Sequence, residues 1–496
     1  MQIVLFRRIP MNWALAFALV LAFAQVFLHT HMEYVVLHFA YVVLWVMAFN
    51  IAGGFTRASG SFIFWFGAMT VLSGSIVKLC IGEAPDTNSA MPILSMAVYT
   101  ACMAIMLLAA IATTKIVGNT ESIAERIMLR RRFSYHEAAS GALIVCLLMF
   151  VLGFILPGGE GTIFGAISRL NLLQYMAIIL GTIDAVQSSN GKRCVNWIVL
   201  VSGGLLFLNS VQGFSKQDMF SPFVCWVVGI AFARFRLRLV HFAVCTAFLS
   251  FVLLVMVPIA QIGRSAGREL PTAGARFALV GNMIENIGYY RQVQEIDEES
   301  RLAATSDYFG KNVGGMAERL TTWPLDDQLI AYSTRGHFIG YNYLWYLFCN
   351  WLPHLVLPNK ESLMPADAGG NYYARQLGAI GPEDETTGVS FGLPAEVYHL
   401  AGWQAITLVV LPLLLLHFLV IEIIAGDIRS TPWGLFYAMF FSHMAPESGL
   451  NGLIYFIWYS NLAMILCILA TTYLAPLAGQ LIAGRQQVAE PTTQPA

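Results

Sequence analysis

Residues 403–424 read WQAITLVVLPLLLLHFLVIEII, and Glu422 is the one charged residue among them. About 20 apolar residues are enough for a helix to cross the roughly 30 Å hydrocarbon core of a bilayer. The whole chain of 496 residues has this character, with 57% hydrophobic and 11% charged residues, whereas soluble domains have roughly 25% charged residues. A soluble enzyme, a nucleic-acid-binding protein and a disordered chain are therefore disfavoured, and we predict an all-α polytopic membrane protein.

Twelve apolar runs are long enough, or nearly long enough, to span a bilayer. They cover 12–28, 34–52, 61–80, 91–114, 139–157, 170–187, 195–213, 219–233, 239–261, 403–424, 432–446 and 452–475. Cytoplasmic loops carry an excess of Lys and Arg. With the N-terminus inside, fifteen Lys and Arg face the cytoplasm, and only Lys78, Arg169 and Lys216 lie in the short outward segments. The sequence therefore predicts about twelve spans, an uncleaved first helix and two cytoplasmic termini.

Residues 262–402, called the outer segment below, separate two membrane regions. These are 1–261, with about nine helices, and 403–478, with about three, followed by a cytoplasmic tail at 479–496. The outer segment holds ten of the 28 Lys and Arg and sixteen of the 29 Asp and Glu. The parity of the spans places it on the extracytoplasmic side. Its uncharged run 341–357 would move Arg429 and Arg485 outward if it crossed the membrane, so we expect a packed or interfacial helix there.

Charged residues inside a membrane are costly and mark functional sites by default. Asp184 and Glu422 fall near predicted cytoplasmic ends, where we expect them to reach water. We expect His38, His241 and His443 to be hydrogen-bonded packing residues.

Cations on the outer side are the first candidates for a binding site. Lys216 stands in the outward turn 214–218, and Arg264 follows the ninth span, while Arg319, Arg335 and Lys360 lie in the outer segment. Such cations bind phosphates through charge-assisted hydrogen bonds. Alternatively, they balance the segment's own acids or contact lipid headgroups.

Aromatic side chains are interleaved with these cations. Because aromatic faces pack against apolar surfaces such as the C–H patches of sugar rings, we take Trp345, Tyr372 and Tyr398 as candidates for sugar binding. Together the cations and aromatics suit a lipid-linked diphosphate sugar. No spacing of Cys and His suggests zinc, and no nucleotide-binding loop is present, so we predict neither a metal nor a cofactor.

Three segments resemble the oligosaccharide repeat-unit polymerases that make bacterial O-antigen and exopolysaccharide. Residues 351–360, WLPHLVLPNK, resemble the family's Pro-Arg…Pro-x-Lys-Pro segment, with His354 where an arginine is common and Glu361 in place of the following proline. Residues 394–403, PAEVYHLAGW, are similar to its Glu-x-Tyr…Gly segment. The Ser215-Lys216 turn resembles a Ser-Arg/Lys turn on an outward loop of the same proteins.

The resemblance implies a GT-C-like fold and a metal-independent, inverting glycosyl transfer on the outer face of the bacterial cytoplasmic (inner) membrane. Donor and acceptor would be oligosaccharides linked to undecaprenyl diphosphate within the membrane lipid, with no nucleic acid involved. The resemblance also allows a chain-length regulator as a further partner.

The resemblance further implies roles for single residues. Cations near the leaving diphosphate would stabilise the transition state; Lys216, Arg264 and Arg319 are the first choices, and Arg335 and Lys360 follow. The base that takes the acceptor's proton would be Glu396, His337, His354 or His399, which the sequence does not rank.

Three alternatives remain open at this point. An O-antigen ligase or related glycosyltransferase would share the large outer loop. A flippase or transporter of lipid-linked sugars is disfavoured, because transporters commonly show internal repeats and charged residues in mid-span, and this sequence shows neither. A structural component of a polysaccharide export complex is the third alternative.

Overall fold

The protein is described by a computed structural model. It describes residues 5–118, 120–129, 134–155, 168–270, 273–290, 292, 308–310, 321–350, 352, 357, 359, 370–381 and 388–483. Helices account for 80% of the structure. Between these described residues there is no strand, only an isolated antiparallel bridge from Arg57 to Asp427. The predicted all-α class is therefore confirmed.

Eight helical segments of the described chain are long and apolar enough to cross a membrane. They are Met32–Thr56, Ala58–Ile81, Pro92–Val117, Tyr135–Leu152, Leu170–Ser188, Leu239–Ala260, Trp403–Ala425 and Gly449–Gln480. Three shorter apolar helices accompany them: Met11–Phe27, Trp197–Gln212 and Asp218–Phe232. The protein therefore has the helices of a multi-pass membrane protein.

Over the described residues, each of the twelve predicted runs falls mainly on helical structure. The α-helices are Met11–Phe27, Met32–Ile51, Ala58–Gly67, Ser73–Ile81, Pro92–Val117, Ile123–Leu129, Tyr135–Ile155, Leu173–Ser188, Trp197–Gln212, Lys216–Phe232, Leu239–Phe251, Val257–Glu269, Ala273–Glu285, Trp323–Thr334, Asn342–Asn350, Gly370–Gln376, Leu393–Ala401, Trp403–Ala425, Trp433–Glu447, Gly449–Tyr455, Asn461–Leu469 and Ala475–Ala483. Short 3₁₀ turns lie at Gly54–Thr56 and Ser168–Leu172. Four π-helical turns, Ala68–Leu72, Val252–Met256, Phe456–Ser460 and Ala470–Leu474, join helices end to end.

The helices of the outer segment pack on the membrane helices. Trp323, Leu329, Tyr373 and Leu400 are at most 1% exposed and belong to the same hydrophobic core as residues of the first membrane helices. Burial of such large apolar side chains is the main favourable term in folding. The outer segment is thus held against the membrane region through its described helices.

The structure gives the bounds of two helices that bear on the predicted limits of the outer segment and on its uncharged run. Helix Val257–Glu269 runs through position 262 without interruption, so the predicted start of the segment lies inside a helix. The uncharged run 341–357 contains helix Asn342–Asn350, whose nine residues are too few to cross a membrane. This helix buries Tyr343 and Leu347 and exposes 61% of Trp345, so it packs on one face.

The expectation that Glu422 reaches water is wrong. Glu422 is 3% exposed, forms an ion pair with Arg57 at 2.9 Å, and accepts a hydrogen bond of 2.5 Å from the Ser59 hydroxyl. The backbone that follows Glu422 is paired with the segment that carries Arg57, because the Ile428 N–H donates to the Thr56 carbonyl at 2.9 Å. The membrane helix therefore ends against its partner for the carboxylate instead of in water.

Asp184 and His38 both form hydrogen bonds with neighbouring polar side chains. The Asp184 carboxylate accepts a hydrogen bond of 3.1 Å from the Asn196 amide and lies 3.0 Å from His136 Nδ1. His38 is 1% exposed and hydrogen-bonds the Gln25 amide at 2.9 Å. His38 is therefore the hydrogen-bonded packing residue that the sequence predicted.

Candidate functional site

The Phe214 ring attaches the Ser215-Lys216 turn to a neighbouring helix. A Cβ atom added to Gly263 or Gly267 would lie 2.2 or 2.1 Å from an atom of this ring. Glycines four residues apart lie on one face of a helix, and their missing side chains let another group approach closely. Phe214 is 3% exposed, so its ring fills this groove. The turn is therefore fixed against helix Val257–Glu269, the helix whose backbone includes Arg264.

Local hydrogen bonds place Lys216 at the first position of helix Lys216–Phe232. The Ser215 hydroxyl accepts from the Asp218 N–H at 3.3 Å and donates to the Asp218 carboxylate at 2.8 Å, which is the usual role of an N-cap serine. Lys216 is half-buried. Two of the predicted diphosphate ligands, Lys216 and Arg264, thus belong to elements in contact, although the Arg264 side chain lies outside the described residues.

A cavity of about 640 Å³ lies beside this turn. One part of its wall is polar and is formed by Asn171, Gln174, Asn209, Gln212, Ser215 and Asp218; another is aromatic and is formed by Phe436, Phe440, Tyr455 and Phe456. Ligand pockets commonly have volumes of roughly 300–1,000 Å³. The sequence analysis missed this cavity, and the only signal was a series of amides at the ends of apolar runs.

The turn after helix Trp323–Thr334 exposes Arg335 and His337. Gly336 and Gly340, with φ of 93° and 82°, supply backbone conformations that side chains rarely allow. The N–H groups of residues 339 and 340 donate to the carbonyls of residues 399 and 400 at 3.0 Å. Helix Leu393–Ala401 ends two residues before the membrane helix that begins at Trp403. The Arg335–Gly340 turn therefore lies close to the start of that membrane helix.

The hydrogen bond of His337 identifies which ring nitrogen carries the proton. Its ring stacks on Tyr332 at a centroid distance of 4.3 Å, and Nδ1 lies 3.2 Å from the Tyr332 carbonyl oxygen. A carbonyl can only accept, so Nδ1 carries the hydrogen and Nε2 of the neutral ring keeps its lone pair. Because the side chain is exposed, His337 has the nitrogen and the accessibility that a general base needs.

His399 is 2% exposed and lies within the packing between helices. Its Nδ1 is 2.9 Å from the Ser333 hydroxyl, which itself donates to the Leu329 carbonyl at 2.7 Å. Burial, and next the nearby His337, lower the pKa of His399 to about 4. The ring is therefore neutral at pH 7 and does not reach solvent.

Glu396 lies against the N-terminus of another helix. It is 4% exposed, and it accepts hydrogen bonds from the N–H groups of Leu450, at 2.5 Å, and Asn451. Burial raises the pKa of Glu396 to about 8, although helix N-termini favour carboxylates. Glu396 therefore joins helix Leu393–Ala401 to helix Gly449–Tyr455 and, like His399, does not face solvent.

The three predicted sugar-binding aromatics have different surroundings. Trp345 is 61% exposed and stacks on Phe348. Tyr372 is half-buried beside Tyr373, with ring centroids 5.8 Å apart. Tyr398 is 6% exposed and packs edge-on against Trp403, so in this structure it has little surface to offer a sugar. The predicted residues Arg319, His354 and Lys360 lie outside the described residues.

Two buried carboxyl groups that the sequence analysis did not single out hold the outer segment in place. Asp326 accepts from the Tyr99 hydroxyl and from the Gly392 N–H at 2.7 Å, and burial raises its pKa to about 6. Asp327 accepts from the Met91 N–H at 3.1 Å, at the start of helix Pro92–Val117. In the sequence these two residues were indistinguishable from other acids of the segment.

Among the residues that the structure describes, no group of three or more His, Cys, Asp or Glu side chains could hold a metal ion. No family model, curated protein or solved structure matches this chain. A functional proposal for this protein therefore depends on its own residues and on the short segments that resemble repeat-unit polymerases.

Proposed function

We propose that this protein polymerises undecaprenyl-diphosphate-linked oligosaccharide repeat units on the outer face of the bacterial cytoplasmic membrane. In this proposal the chain makes twelve spans in a GT-C-like arrangement, has both termini in the cytoplasm, and carries the outer segment 262–402 on the extracytoplasmic side. The observation that carries the proposal is the exposed Arg335–Gly340 turn beside the start of the membrane helix at Trp403.

The proposed reaction has two chemical requirements. A hydroxyl oxygen of the acceptor sugar attacks the anomeric carbon of the donor, the bond from that carbon to the diphosphate oxygen breaks, and the configuration inverts. A base takes the hydroxyl proton, and undecaprenyl diphosphate leaves with both electrons of the broken bond. The site therefore needs a proton acceptor within hydrogen-bond reach and fixed positive charge near the developing diphosphate.

The Arg335–Gly340 turn supplies both requirements at the level where a lipid-bound diphosphate would lie. Arg335 provides a guanidinium, which can bind phosphate oxygens bidentately, and His337 provides an exposed Nε2 lone pair two residues later. We therefore assign the base to His337. Glu396 and His399 are buried, and in this proposal they act by positioning helix Leu393–Ala401.

A second group of cations supports the proposal. Lys216 begins a helix next to the 640 Å³ cavity. Arg264 belongs to the helix against which the Ser215-Lys216 turn packs. Both residues were predicted from the sequence as diphosphate ligands. Arg319 and Lys360 remain candidates for the same chemistry, whereas His354 was predicted as a base and lies outside the described residues.

The test is elongation by the purified full-length protein in proteoliposomes that contain a lipid-linked repeat unit. We expect a ladder of products on a gel without added nucleotide sugar. His337→Asn keeps a donor for the Tyr332 carbonyl and removes Nε2, and we expect it to slow elongation roughly 100- to 10,000-fold. His29→Ala is the control, because His29 is an exposed histidine in another short turn.

Two results would contradict the proposal. Normal elongation by His337→Asn would remove His337 as the base. Transfer of one finished glycan to a different acceptor, with no ladder, would assign the protein as a ligase instead.

A further inference from the structure

The cavity beside the Ser215-Lys216 turn is lined by amide, hydroxyl, carboxylate and aromatic side chains, and these groups indicate the kind of ligand that it could bind. We propose that it binds the uncharged sugar rings of the lipid-linked substrate, while the diphosphate remains outside at Lys216. This inference rests on the proposed function and deepens it, because it assigns the two parts of one substrate to two places.

The polar wall suits hydroxyl groups. The amides of Asn171, Gln174, Asn209 and Gln212 line this wall. An amide has two N–H donors and a carbonyl acceptor, and each sugar hydroxyl both donates and accepts. Gln212 uses one N–H to donate to the Asn209 carbonyl oxygen at 3.0 Å, and the remaining positions can serve a ligand. Gln174 is 3% exposed, and its side chain forms no hydrogen bond to another residue that the structure describes. The Gln174 amide lines the cavity, so it is available to hydrogen-bond a ligand hydroxyl there.

Asp218 excludes the diphosphate from the interior. Its carboxylate accepts 3.1 Å and 2.8 Å hydrogen bonds from the Tyr175 and Ser215 hydroxyls, and two carboxylate oxygens together offer about four acceptor positions. Positions therefore remain for ligand hydroxyls. Among the described residues that line the cavity there is no Lys, Arg or His. A diphosphate inside would meet a negative charge and no positive one.

The aromatic wall suits the apolar faces of sugar rings. Phe436 and Phe440 stack at a centroid distance of 5.8 Å, and Tyr175 packs edge-on against Phe436 at 5.9 Å. A cavity lined by both aromatic rings and polar groups suits a sugar ring, which has apolar C–H patches as well as hydroxyl groups.

The two ends of the substrate would then lie in adjoining places. Ser215 lines the cavity and Lys216 follows it at the helix N-terminus, so a phosphate at Lys216 would be next to a sugar inside. Tyr455 also lines the cavity, five residues after the Leu450 N–H that binds Glu396. At a rise of about 1.5 Å per residue, Leu450 and Tyr455 are about 8 Å apart along the chain, so the segment that binds Glu396 also reaches the cavity.

The experiment measures binding of neutral methyl glycosides of the common hexoses, N-acetylhexosamines and 6-deoxyhexoses to the purified full-length protein, by saturation-transfer NMR. We expect saturable binding of at least one glycoside, with no competition from inorganic pyrophosphate. Gln174→Leu and Asn209→Leu should each weaken that binding at least tenfold. Asn282→Leu is the matched control, because Asn282 is exposed on helix Ala273–Glu285 and does not line the cavity.

The outcomes separate this inference from the proposed function. Absence of binding by every glycoside, equal binding by the Leu variants, or displacement by pyrophosphate overturns the cavity assignment. If His337→Asn binds the glycoside normally and fails to elongate, while Gln174→Leu loses both, both proposals are supported. Glycoside binding that Gln174→Leu abolishes, in a protein that forms no ladder, would refute the proposed function alone.

Discussion

Glu396 is a carboxyl group whose ionisation is coupled to folding. Burial raises its pKa to about 8 in the folded protein, against about 4.3 for a free glutamate side chain. Between these values the folded state holds a proton that the unfolded state has released. The contribution of Glu396 to stability is therefore complete below the unfolded pKa and is lost as the pH rises through the folded one.

We predict that the melting temperature of the wild-type protein falls relative to that of Glu396→Gln as the pH rises from about 5 to about 8.5. Glutamine cannot ionise, and its carbonyl oxygen can still accept the Leu450 N–H. Thermal unfolding of both proteins in nanodiscs across this range measures the difference. Glu33→Gln, a change at an exposed carboxylate, is the control. A difference that stays constant across this pH range would show that Glu396 is already charged in the folded protein, and the prediction would be wrong.

At the scale of single residues, the sequence could predict chemistry but not accessibility. The four candidate bases were equivalent in the sequence, and the structure separates three of them because His337 is exposed whereas Glu396 and His399 are buried. Burial depends on which helices pack over a residue, and no local pattern encodes that. Asp326 and Asp327 were missed for the same reason.

Two elements of this fold approach closely at glycines, which have no side chain to keep them apart. Helix Val257–Glu269 receives the Phe214 ring at Gly263 and Gly267. The two glycines are spaced as in the Gly-x-x-x-Gly motif of membrane helices, in which small residues allow close packing. The position of Lys216, two residues after Phe214, depends on this contact.

We predict that Gly267→Ala destabilises the protein by about 1–3 kcal/mol, because the new methyl group overlaps the Phe214 ring. Gly204→Ala is the matched control. Nothing lies within 4 Å of a Cβ atom at Gly204, so alanine should be neutral or should stabilise the helix by up to about 1 kcal/mol. Phe214→Leu should reduce the cost of Gly267→Ala in a double-mutant cycle. Equal effects of the two alanines, measured by unfolding in detergent, would contradict this contact.

The helices could be predicted because the length of an apolar run indicates whether a helix there can span the bilayer. In the part of the chain that the structure describes, every predicted run falls mainly on helical structure, since an apolar run in a membrane must satisfy its backbone groups internally. The π-helical turns were not predictable. Phe456–Ser460 and Ala470–Leu474 continue the apolar runs on either side of them, and no residue in them marks the shift in hydrogen bonding.

At the scale of the whole molecule, the outer segment and the membrane region share one core. Asp327 accepts N–H donors at the start of helix Pro92–Val117, and Glu396 does so at the start of helix Gly449–Tyr455. Both contacts join helices that are distant in the sequence. The charge distribution could predict a separate polar segment, but it contained no information on such long-range contacts.

Both proposals require that the outer segment faces the extracytoplasmic side of the membrane. Ser390 is exposed in the outer segment, and Lys192 is exposed in the turn before helix Trp197–Gln212. The distribution of Lys and Arg predicts opposite sides for the two positions. We therefore predict that Ser390→Cys reacts with a membrane-impermeant maleimide in intact spheroplasts, whereas Lys192→Cys reacts only after lysis.

The background for this labelling follows from the burial of the native cysteines. Cys80 is exposed and Cys245 half-buried, whereas the other six are buried, so replacing these two by serine should leave little native labelling. A membrane-permeant maleimide should label both introduced cysteines and so show that each is accessible. If Lys192→Cys reacts from outside and Ser390→Cys does not, Arg335 and His337 face the cytoplasm. A lipid-linked glycan on the outer leaflet could then not reach them, and the polymerase proposal would be wrong even if the fold described above is correct.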